Sequence, residues 1–268
     1  MSSNQNAVIE NYRNRAEDRR AVESRYAELE FYYTKKHLAE YIGAGSTVIE
    51  LGCGTGYYAM YFAGRCRSYT GVDLTPEHID ILKEKIRKKG LSNVSALVGD
   101  ATGLFGIPDK SFDVVLCLGP MYHLPPDERE QVFSECRRIC KKGGVAAFSY
   151  INRVGVYAGA CVNGFGDNQY PNEKANRFVL ELGKDDNRSD LFFYTMPEEI
   201  EAAAEKYGFR KLKNLGTDFF LMLNRIEEMG EEQYRLLRPL LDQMAEHESC
   251  TGMSNHALLV CRKQEREI

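Results

Sequence analysis

A glycine-rich turn between a short apolar strand and a helix-like segment constrains the fold of this chain most strongly. Thr47 to Leu51 has the pattern of a strand, and it runs directly into Gly52-Cys-Gly-Thr-Gly56, which the helix-like Tyr57 to Gly64 follows. Glycines permit a tight bend, and they let backbone N–H groups approach a ligand at the start of a helix. The turn therefore predicts a strand–turn–helix unit that opens a ligand site.

The same alternation of strand and helix continues beyond this unit. The pattern predicts strands at Tyr69–Asp73, Val94–Val98, Phe112–Leu118 and Val145–Tyr150, and helices at Pro76–Lys89 and Pro126–Cys140. Such alternation is typical of an α/β fold with a doubly wound, mostly parallel sheet covered on both faces. Ligands bind such sheets at the carboxyl ends of the strands.

The two ends of the chain and a long insertion depart from this alternation. Residues 8–42 are rich in helix formers, and the pattern predicts helical structure there. Residues 151–195 form a long insertion, which is usually functional or disordered. After it we expect a helix at Pro197–Tyr207, strands at Lys211–Leu215 and His256–Cys261, and helical structure from Phe219 to Glu248 between those strands.

The composition excludes several classes of protein. The chain has 268 residues and a formal net charge of −4, which does not attract a polyanion, so no nucleic-acid partner is expected. The polar N-terminal segment, residues 1–14, lacks the apolar core of a signal peptide, and no uncharged apolar run is long enough to span a membrane, so no membrane association is expected either. The eight cysteines contain no CxxC pair, which favours reduced thiols and a cytoplasmic location.

Three acidic residues end successive predicted strands or follow them. Glu50 precedes the glycine turn, Asp73 ends the second strand, and Asp100 follows the third. A carboxylate at the position of Asp73 can accept both hydroxyls of a ribose, and Glu50 suits a cationic, amino-acid-like ligand better than a pyrophosphate. The spacing GxGxG also differs from the dinucleotide pattern GxGxxG.

With these residues in place, the chain resembles the class I, Rossmann-like S-adenosylmethionine-dependent methyltransferases. The resemblance covers residues 47–150 and rests on ordered motifs: Val48-Ile-Glu-Leu-Gly-Cys-Gly-Thr-Gly56, Gly71-Val-Asp-Leu74, Gly99-Asp-Ala101, Phe112-Asp-Val-Val-Leu116 and Lys142-Gly-Gly144. It implies a seven-stranded sheet with the last strand antiparallel, and a helical or irregular cap. On this basis we expect an N-terminal cap segment at 1–42 and a methyltransferase domain at 43–268, in which 151–195 and 218–250 cover the acceptor site.

The resemblance also implies which residues would bind S-adenosylmethionine and release S-adenosylhomocysteine. Glu50 and the turn from Gly52 to Gly54 would face the methionine part, and Asp73 would bind the ribose. Asp100 would contact the adenine amino group. The full expected set is Glu50, Gly52, Cys53, Gly54, Gly56, Asp73, Leu74, Asp100, Ala101 and Leu118.

The segment Leu118-Gly-Pro-Met-Tyr-His123 is similar to the segment that lines the methyl-transfer site in many small-molecule members of the family. It lacks the Asn/Asp-Pro-Pro-Tyr pattern of relatives that methylate bases or amides. Tyr122 and His123 are the candidate catalytic residues, with His123 as a base for an acceptor that must lose a proton. A role in hydrogen bonding or in covering the cofactor is the competing interpretation of His123.

We therefore expect methyl transfer to a small-molecule O, N or S nucleophile. A methyltransferase acting on RNA or protein is one alternative, and a non-catalytic S-adenosylmethionine-binding module is another. No metal is expected, because no histidine or cysteine pair has convincing ligand spacing. Of the other histidines, His78 is expected on an exposed helix start. His256, which opens the last strand, could face the pocket, but a structural role is expected for it.

Overall fold

A seven-stranded sheet forms the centre of the computed structural model, which describes residues 3–13, 17–163, 172–173, 176–181, 191–219 and 226–265. The strands are β1 (Thr47–Leu51), β2 (Ser68–Asp73), β3 (Val94–Val98), β4 (Phe112–Cys117), β5 (Cys140–Ile151), β6 (Phe209–Gly216) and β7 (His256–Lys263). The first four strands lie within about a residue of their predicted bounds. The strand β5 begins five residues earlier than predicted, because Cys140 already pairs with Phe112 of β4.

The strand order, β3-β2-β1-β4-β5-β7-β6, creates a crevice at the centre of the sheet. Strands β1 to β5 are parallel to one another, whereas β7 runs antiparallel to both β5 and β6. The chain order reverses between β1 and β4, and ligands bind α/β sheets where such a reversal separates the loops at the carboxyl ends. The predicted Rossmann-like sheet with an antiparallel last strand is confirmed.

Ten α-helices of the described residues accompany the sheet. They are α1 (Ser3–Tyr12), α2 (Glu17–Glu23), α3 (Arg25–Leu38), α4 (Tyr57–Phe62), α5 (Pro76–Lys89), α6 (Pro126–Ile139), α7 (Arg153–Asn163), α8 (Pro197–Lys206), α9 (Glu231–Glu246) and α10 (Glu248–Thr251). One sheet face packs on Leu38, Phe62 and Ile79, and the other packs on Phe133 and Ile200. Both faces are therefore buried, as a parallel sheet requires.

The helical structure predicted over residues 8–42 consists of three separate helices. The third begins at Ser24, whose backbone is extended and whose hydroxyl accepts a hydrogen bond from Ala27 N at 3.1 Å. A serine with this geometry is a strong N-cap, and it favours a new helix over a continued one. The chain turns here, and α2 packs against α3.

The helical stretch predicted from Phe219 to Glu248 is only partly right. A single turn at Ile226–Glu228 precedes α9, which begins at Glu231, and residues 220–225 lie outside the described part of the chain. The helices α3 and α9 pack against each other through Leu29, Tyr33, Tyr234, Leu241 and Met244. These residues form a helical layer beside the sheet, separate from the two sheet faces.

The insertion at 151–195 is described only in part. It contains α7, a short π-helix at Asn176–Glu181 and the segment 191–195, whereas residues 164–171, 174–175 and 182–190 lie outside the described residues. The expected extent of the cap and the division at residue 42 remain predictions.

All eight cysteines belong to the described residues, and all are free thiols. Six of them, Cys53, Cys66, Cys117, Cys136, Cys140 and Cys261, are buried. In the described part of the chain, no helix has both the length and the apolar character that crossing a bilayer requires.

Gly155 provides a test of how α7 is seated. A Cβ at this buried position would lie 2.1 Å from the carbonyl oxygen of Ser254. Alanine is favoured over glycine inside a helix by about 1 kcal/mol, so propensity alone predicts a more stable Gly155→Ala variant. We expect the opposite, a loss of about 1–3 kcal/mol from overpacking, measured by urea unfolding.

Gly64→Ala is the matched control, because nothing lies within 4 Å of a Cβ at Gly64. We expect it to change stability by less than about 0.5 kcal/mol. If Gly155→Ala were as stable as the control or more stable, the close approach of α7 to Ser254 would be wrong.

Candidate functional site

A cavity of about 290 Å³ opens at the carboxyl ends of the central strands. It brings together the predicted residues of the first three strand ends and of the segment after β4. Those that line it are Glu50, Gly52, Cys53, Gly54, Asp73, Leu74, Asp100, Ala101, Leu118, Tyr122 and His123. Of the predicted site residues, Gly56 does not line the cavity.

Two positions of the turn require glycine for steric reasons. Gly52 has φ = 74°, and a Cβ there would lie 2.6 Å from Pro120 Cδ. Gly56 has φ = 87°, and a Cβ there would lie 2.3 Å from Leu82 Cδ1 of α5. Gly52 therefore keeps the cavity open beside the segment after β4, whereas Gly56 lets α4 pack closely against α5.

Asp73 connects the turn to the end of β2. One carboxylate oxygen, Oδ2, accepts a hydrogen bond from Gly54 N at 2.7 Å, and Oδ1 accepts one from Thr75 N at 2.9 Å. Both backbone donors hold the carboxylate against the cavity wall, where it is 9% exposed. Each oxygen retains a further lone pair for a ligand hydroxyl.

Glu50 lies deeper in the cavity and is 1% exposed. Its Oε2 accepts a hydrogen bond from Tyr69 OH at 2.7 Å, and no Lys or Arg of the described residues forms an ion pair with it. Burial raises the pKa of Glu50 to about 8, the nearby charge of Asp73 adds to this, and the Tyr69 hydrogen bond opposes it. A cationic ligand would supply the missing counter-charge.

The helix α1 crosses the mouth of the cavity, and none of its residues was among the expected cofactor-binding or catalytic residues. Gln5, Val8 and Tyr12 of this helix line the cavity. Gln5 Nε2 donates a hydrogen bond to Asp100 Oδ2 at 2.6 Å, and Thr102 N donates to Asp100 Oδ1 at 2.9 Å. The carboxylate predicted to contact adenine thus also anchors the N-terminal helix.

The predicted catalytic pair lies at the same mouth. The rings of Tyr122 and His123 lie edge to face, with centroids 4.6 Å apart. His123 Nδ1 lies 2.7 Å from Leu191 O, and Nε2 lies 3.0 Å from Tyr12 OH. Burial lowers the pKa of His123 to about 4, so the imidazole is neutral near pH 7. Nδ1 therefore donates to the carbonyl, and Nε2 accepts from the phenol.

The interpretation of His78 as an exposed residue is wrong, because its side chain is 2% exposed. Its Nε2 lies 2.9 Å from Tyr12 O, and its Nδ1 lies 3.5 Å from Asp73 Oδ1. His78 therefore joins the end of α1 to the carboxylate at the end of β2. Its position at the third residue of α5, after the strand end at Asp73, is the signal that could have indicated this role.

A second group of charged residues lies at the opposite end of the cavity, and sequence reasoning missed it. Arg20, Glu30 and His256 line this end, and Asp218 contacts His256. The first two come from N-terminal helices and the last two from β7 and the loop after β6. No single motif contains them. Aromatic residues that also line the cavity are Phe31, Tyr57, Tyr58, Tyr122 and Phe192.

The cavity fits the functional groups of S-adenosylmethionine. Glu50 offers a buried carboxyl without a cationic partner among the described residues, which suits the ammonium of the methionine part. The carboxyl oxygens of Asp73 offer acceptors for a diol. Aromatic rings suit a sulfonium. Among the described residues, no three His, Cys, Asp or Glu side chains are grouped so that they could hold a metal ion.

Comparison with known proteins places a methyltransferase domain at this cavity. A family model described as "Methyltransferase domain" matches residues 48–144. A phosphatidylethanolamine N-methyltransferase of Cereibacter sphaeroides is 32% identical over 111 residues, which are 41% of this chain and 53% of that protein. A ubiquinone biosynthesis O-methyltransferase of Thiobacillus denitrificans is 32% identical over 110 residues, 41% of this chain and 46% of that protein.

The matched region thus spans about half the length of these curated relatives. Among solved structures, the PH0226 protein from Pyrococcus horikoshii has a similar fold, with a TM-score of 0.59, 20% identity, and coverage of 95% of this chain and 99% of that one. At that identity the likeness concerns the fold. The family match, the strand order and the glycine turn agree that residues 48–144 form a methyltransferase domain within a class I, Rossmann-like fold.

Proposed function

We propose that this chain transfers the methyl group of S-adenosylmethionine to an O, N or S nucleophile of a small molecule. The observation that carries the proposal is one continuous cavity, which runs from Glu50 and Asp73 to the aromatic end around Tyr122 and Phe192. A cofactor at the carboxylates would direct its sulfonium methyl toward that aromatic end. An acceptor there would lie in the same enclosed space.

The cofactor would be held by residues of three strand ends. Glu50 would pair with the ammonium, backbone groups of Gly52, Cys53 and Gly54 would line the methionine part, and Asp73 would accept the ribose hydroxyls. Leu74, Asp100, Ala101 and Leu118 would surround the adenine. Because Gly56 does not line the cavity, its role in this proposal is to seat α4 on α5.

Tyr122 and His123 would form the wall beside the methyl group. Methyl transfer from a sulfonium is an in-line displacement with an activated leaving group, so alignment and exclusion of water supply most of the catalysis. The neutral His123, hydrogen-bonded on both ring nitrogens, favours this positioning role over direct proton removal.

A small acceptor is favoured over a polymer by two features of the cavity. Helix α1 covers the mouth through Gln5 and Tyr12, so that an RNA or a protein segment would have to displace it. Carboxyl groups line the proposed cofactor end, and they would repel the phosphates of an RNA acceptor. The free thiols favour the predicted cytoplasmic location, which stays a prediction.

The experiment that tests this function combines calorimetry with a methyl-transfer screen. Binding of S-adenosylmethionine and S-adenosylhomocysteine is measured first, and pooled small thiols, amines and phenols are then tested for conversion. Binding with turnover supports the proposal. Binding without turnover across a metabolite extract favours a non-catalytic binding module, and no binding of either ligand contradicts the proposal.

The role of Asp73 predicts a loss of affinity for both ligands. Asp73→Asn removes charge-assisted hydrogen bonds worth about 1.5–3 kcal/mol. We expect the dissociation constants of S-adenosylmethionine and S-adenosylhomocysteine to rise at least about tenfold, because both contain the ribose. Asp80→Asn, an exposed carboxylate on α5, is the control and should bind normally. Equal affinities of the two variants would contradict the ribose assignment.

The pKa of Glu50 predicts a pH dependence of cofactor binding. Its folded-state pKa of about 8 lies above the ordinary value, and an ammonium partner would lower it. Binding should therefore release a proton below about pH 8, and affinity should rise between about pH 6 and pH 8. Calorimetry at about pH 7 in buffers of different ionisation enthalpy measures this release.

Glu50→Gln should abolish the proton release and weaken binding. A raised pKa means that the stability contributed by the protonated carboxyl is lost as the pH rises through about 8. The unliganded variant should therefore be more stable than the wild type above about pH 8. Proton release that persists in the variant would assign the titration to another group.

A further inference from the structure

The end of the cavity opposite Asp100 carries a buried histidine–aspartate pair. The antiparallel direction of β7 places its first residue, His256, at the same sheet edge as the carboxyl ends of the parallel strands. Asp218 follows the end of β6 by two residues and lies beside His256. His256 Nδ1 and Asp218 Oδ2 are 2.7 Å apart.

The carboxylate of Asp218 is fixed on both oxygens. Oδ1 accepts hydrogen bonds from Ser254 Oγ and Asn255 N, each at 2.8 Å, and Oδ2 accepts from His256 N at 3.1 Å in addition to the ring. Its pKa lies below the ordinary value despite burial, because His256 and these donors favour the charged form. An ionised acceptor so close to Nδ1 requires a proton on that nitrogen.

The side-chain amide of Asn255 is compatible with a proton on His256 Nδ1 when its oxygen faces the ring. Its Nδ2 lies 3.1 Å from His256 Nδ1, while its Oδ1 is buried without a hydrogen-bond partner. When Asn255 Oδ1 and Nδ2 exchange places, Oδ1 accepts a hydrogen bond from the proton on His256 Nδ1. Both neighbours of Nδ1 are then acceptors, and the neutral ring carries its lone pair on Nε2.

The second ring nitrogen, Nε2, belongs to a residue that borders the cavity. His256 is a lining residue with a side chain 20% exposed, and its ring centroid lies 6.3 Å from that of Tyr122. In the described part of the chain, Nε2 forms no hydrogen bond. In this respect His256 differs from His123, whose two ring nitrogens are both engaged.

Charges around the ring stabilise its protonated form. Glu30 Oε2 lies 3.6 Å from Nδ1, and Arg20 binds Glu30 through two hydrogen bonds of 2.6 and 3.1 Å. Burial and Arg20 lower the pKa of His256, but Glu30 and Asp218 together raise it above its ordinary value. A proton taken up by this ring would therefore be retained beside two carboxylates.

This end of the cavity adjoins the methionine end of the proposed cofactor site. Burial raises the pKa of the Tyr58 phenol, and the charges of Glu30 and Glu50 add to this rise, so both carboxyl groups lie near it. The three side chains line the same cavity. An acceptor between Tyr122 and His256 would thus lie next to the sulfonium.

We propose that His256 is the general base that removes the proton of an uncharged hydroxyl or thiol acceptor, and that Asp218 is the positioning residue that holds Nε2 toward it. The inference rests on the proposed function. His256 Nε2 takes the acceptor proton while the acceptor oxygen or sulfur forms a bond to the methyl carbon. The carbon–sulfonium bond breaks, and its electron pair stays on the sulfur of S-adenosylhomocysteine. The imidazolium, paired with Asp218, later releases the proton to water.

The first arm of the test observes the tautomer without any acceptor. Nitrogen-15 NMR of the S-adenosylhomocysteine complex, assigned with His256→Asn, should show the Nδ1–H tautomer of the neutral ring. A neutral ring protonated at Nε2 would overturn the proposal and leave the proposed function intact. If the wild type binds neither cofactor nor product, the proposed function itself fails.

The second arm measures methyl transfer with three defined probes: 4-methoxyphenol, benzyl mercaptan and iodide, which carries no proton. His256→Asn should lower transfer to the phenol or the thiol by about 10²–10⁴-fold. It should change the affinity for S-adenosylhomocysteine and the formation of iodomethane less than about twofold, since these need no proton removal. The exposed His247 gives a matched control, His247→Asn, with wild-type rates.

The pH profile separates positioning from a purely structural role. Transfer to a proton-bearing probe should rise with pH through the pKa of His256, because only the neutral ring accepts a proton. Asp218→Asn removes one counter-charge, so this rise should move to lower pH while the plateau falls. An unchanged profile, an equal loss with iodide, or no transfer to either proton-bearing probe by a wild type that binds the cofactor would overturn the assignment.

Discussion

The carboxylate of Asp73 holds together the parts of the chain that form the cavity. It accepts backbone hydrogen bonds from Gly54 in the turn and from Thr75 at the start of α5, and it faces the ring of His78. It adds to the backbone hydrogen bonds from Gly52 N and Cys53 N to Val72 O, which also join the turn after β1 to the end of β2. The same carboxylate is the proposed acceptor of the ribose, so the group that shapes the site also serves the ligand.

Several buried carboxyl groups share this small volume, which determines its electrostatics. Glu50 avoids an unpaired charge by remaining protonated up to about pH 8. Glu30 and Asp218 instead remain ionised, because Arg20 and His256 lie against them. At the proposed cofactor end, a cationic ligand can therefore supply the positive charge that Glu50 lacks. At the proposed acceptor end, the carboxylates already have positively charged partners.

The N-terminal helix is coupled to the same groups. Gln5 contacts Asp100, the carbonyl of Tyr12 contacts His78, and the hydroxyl of Tyr12 contacts His123. Each contact joins α1 to a residue at a strand end or in the segment after β4. The helix thus completes the cavity with residues that are distant in sequence from the glycine turn.

The sequence by itself determined the sheet and the cofactor end of the cavity. Glu50, the glycine turn, Asp73 and Asp100 follow predicted strands directly, and parallel strands place their carboxyl ends at one edge. The tertiary structure alone decided the acceptor end. His256, Asp218, Glu30 and Arg20 meet because β7 reverses direction and because Ser24 breaks the N-terminal region into separate helices. Periodicity describes neighbours along one element, and it carries no information about such contacts between distant elements.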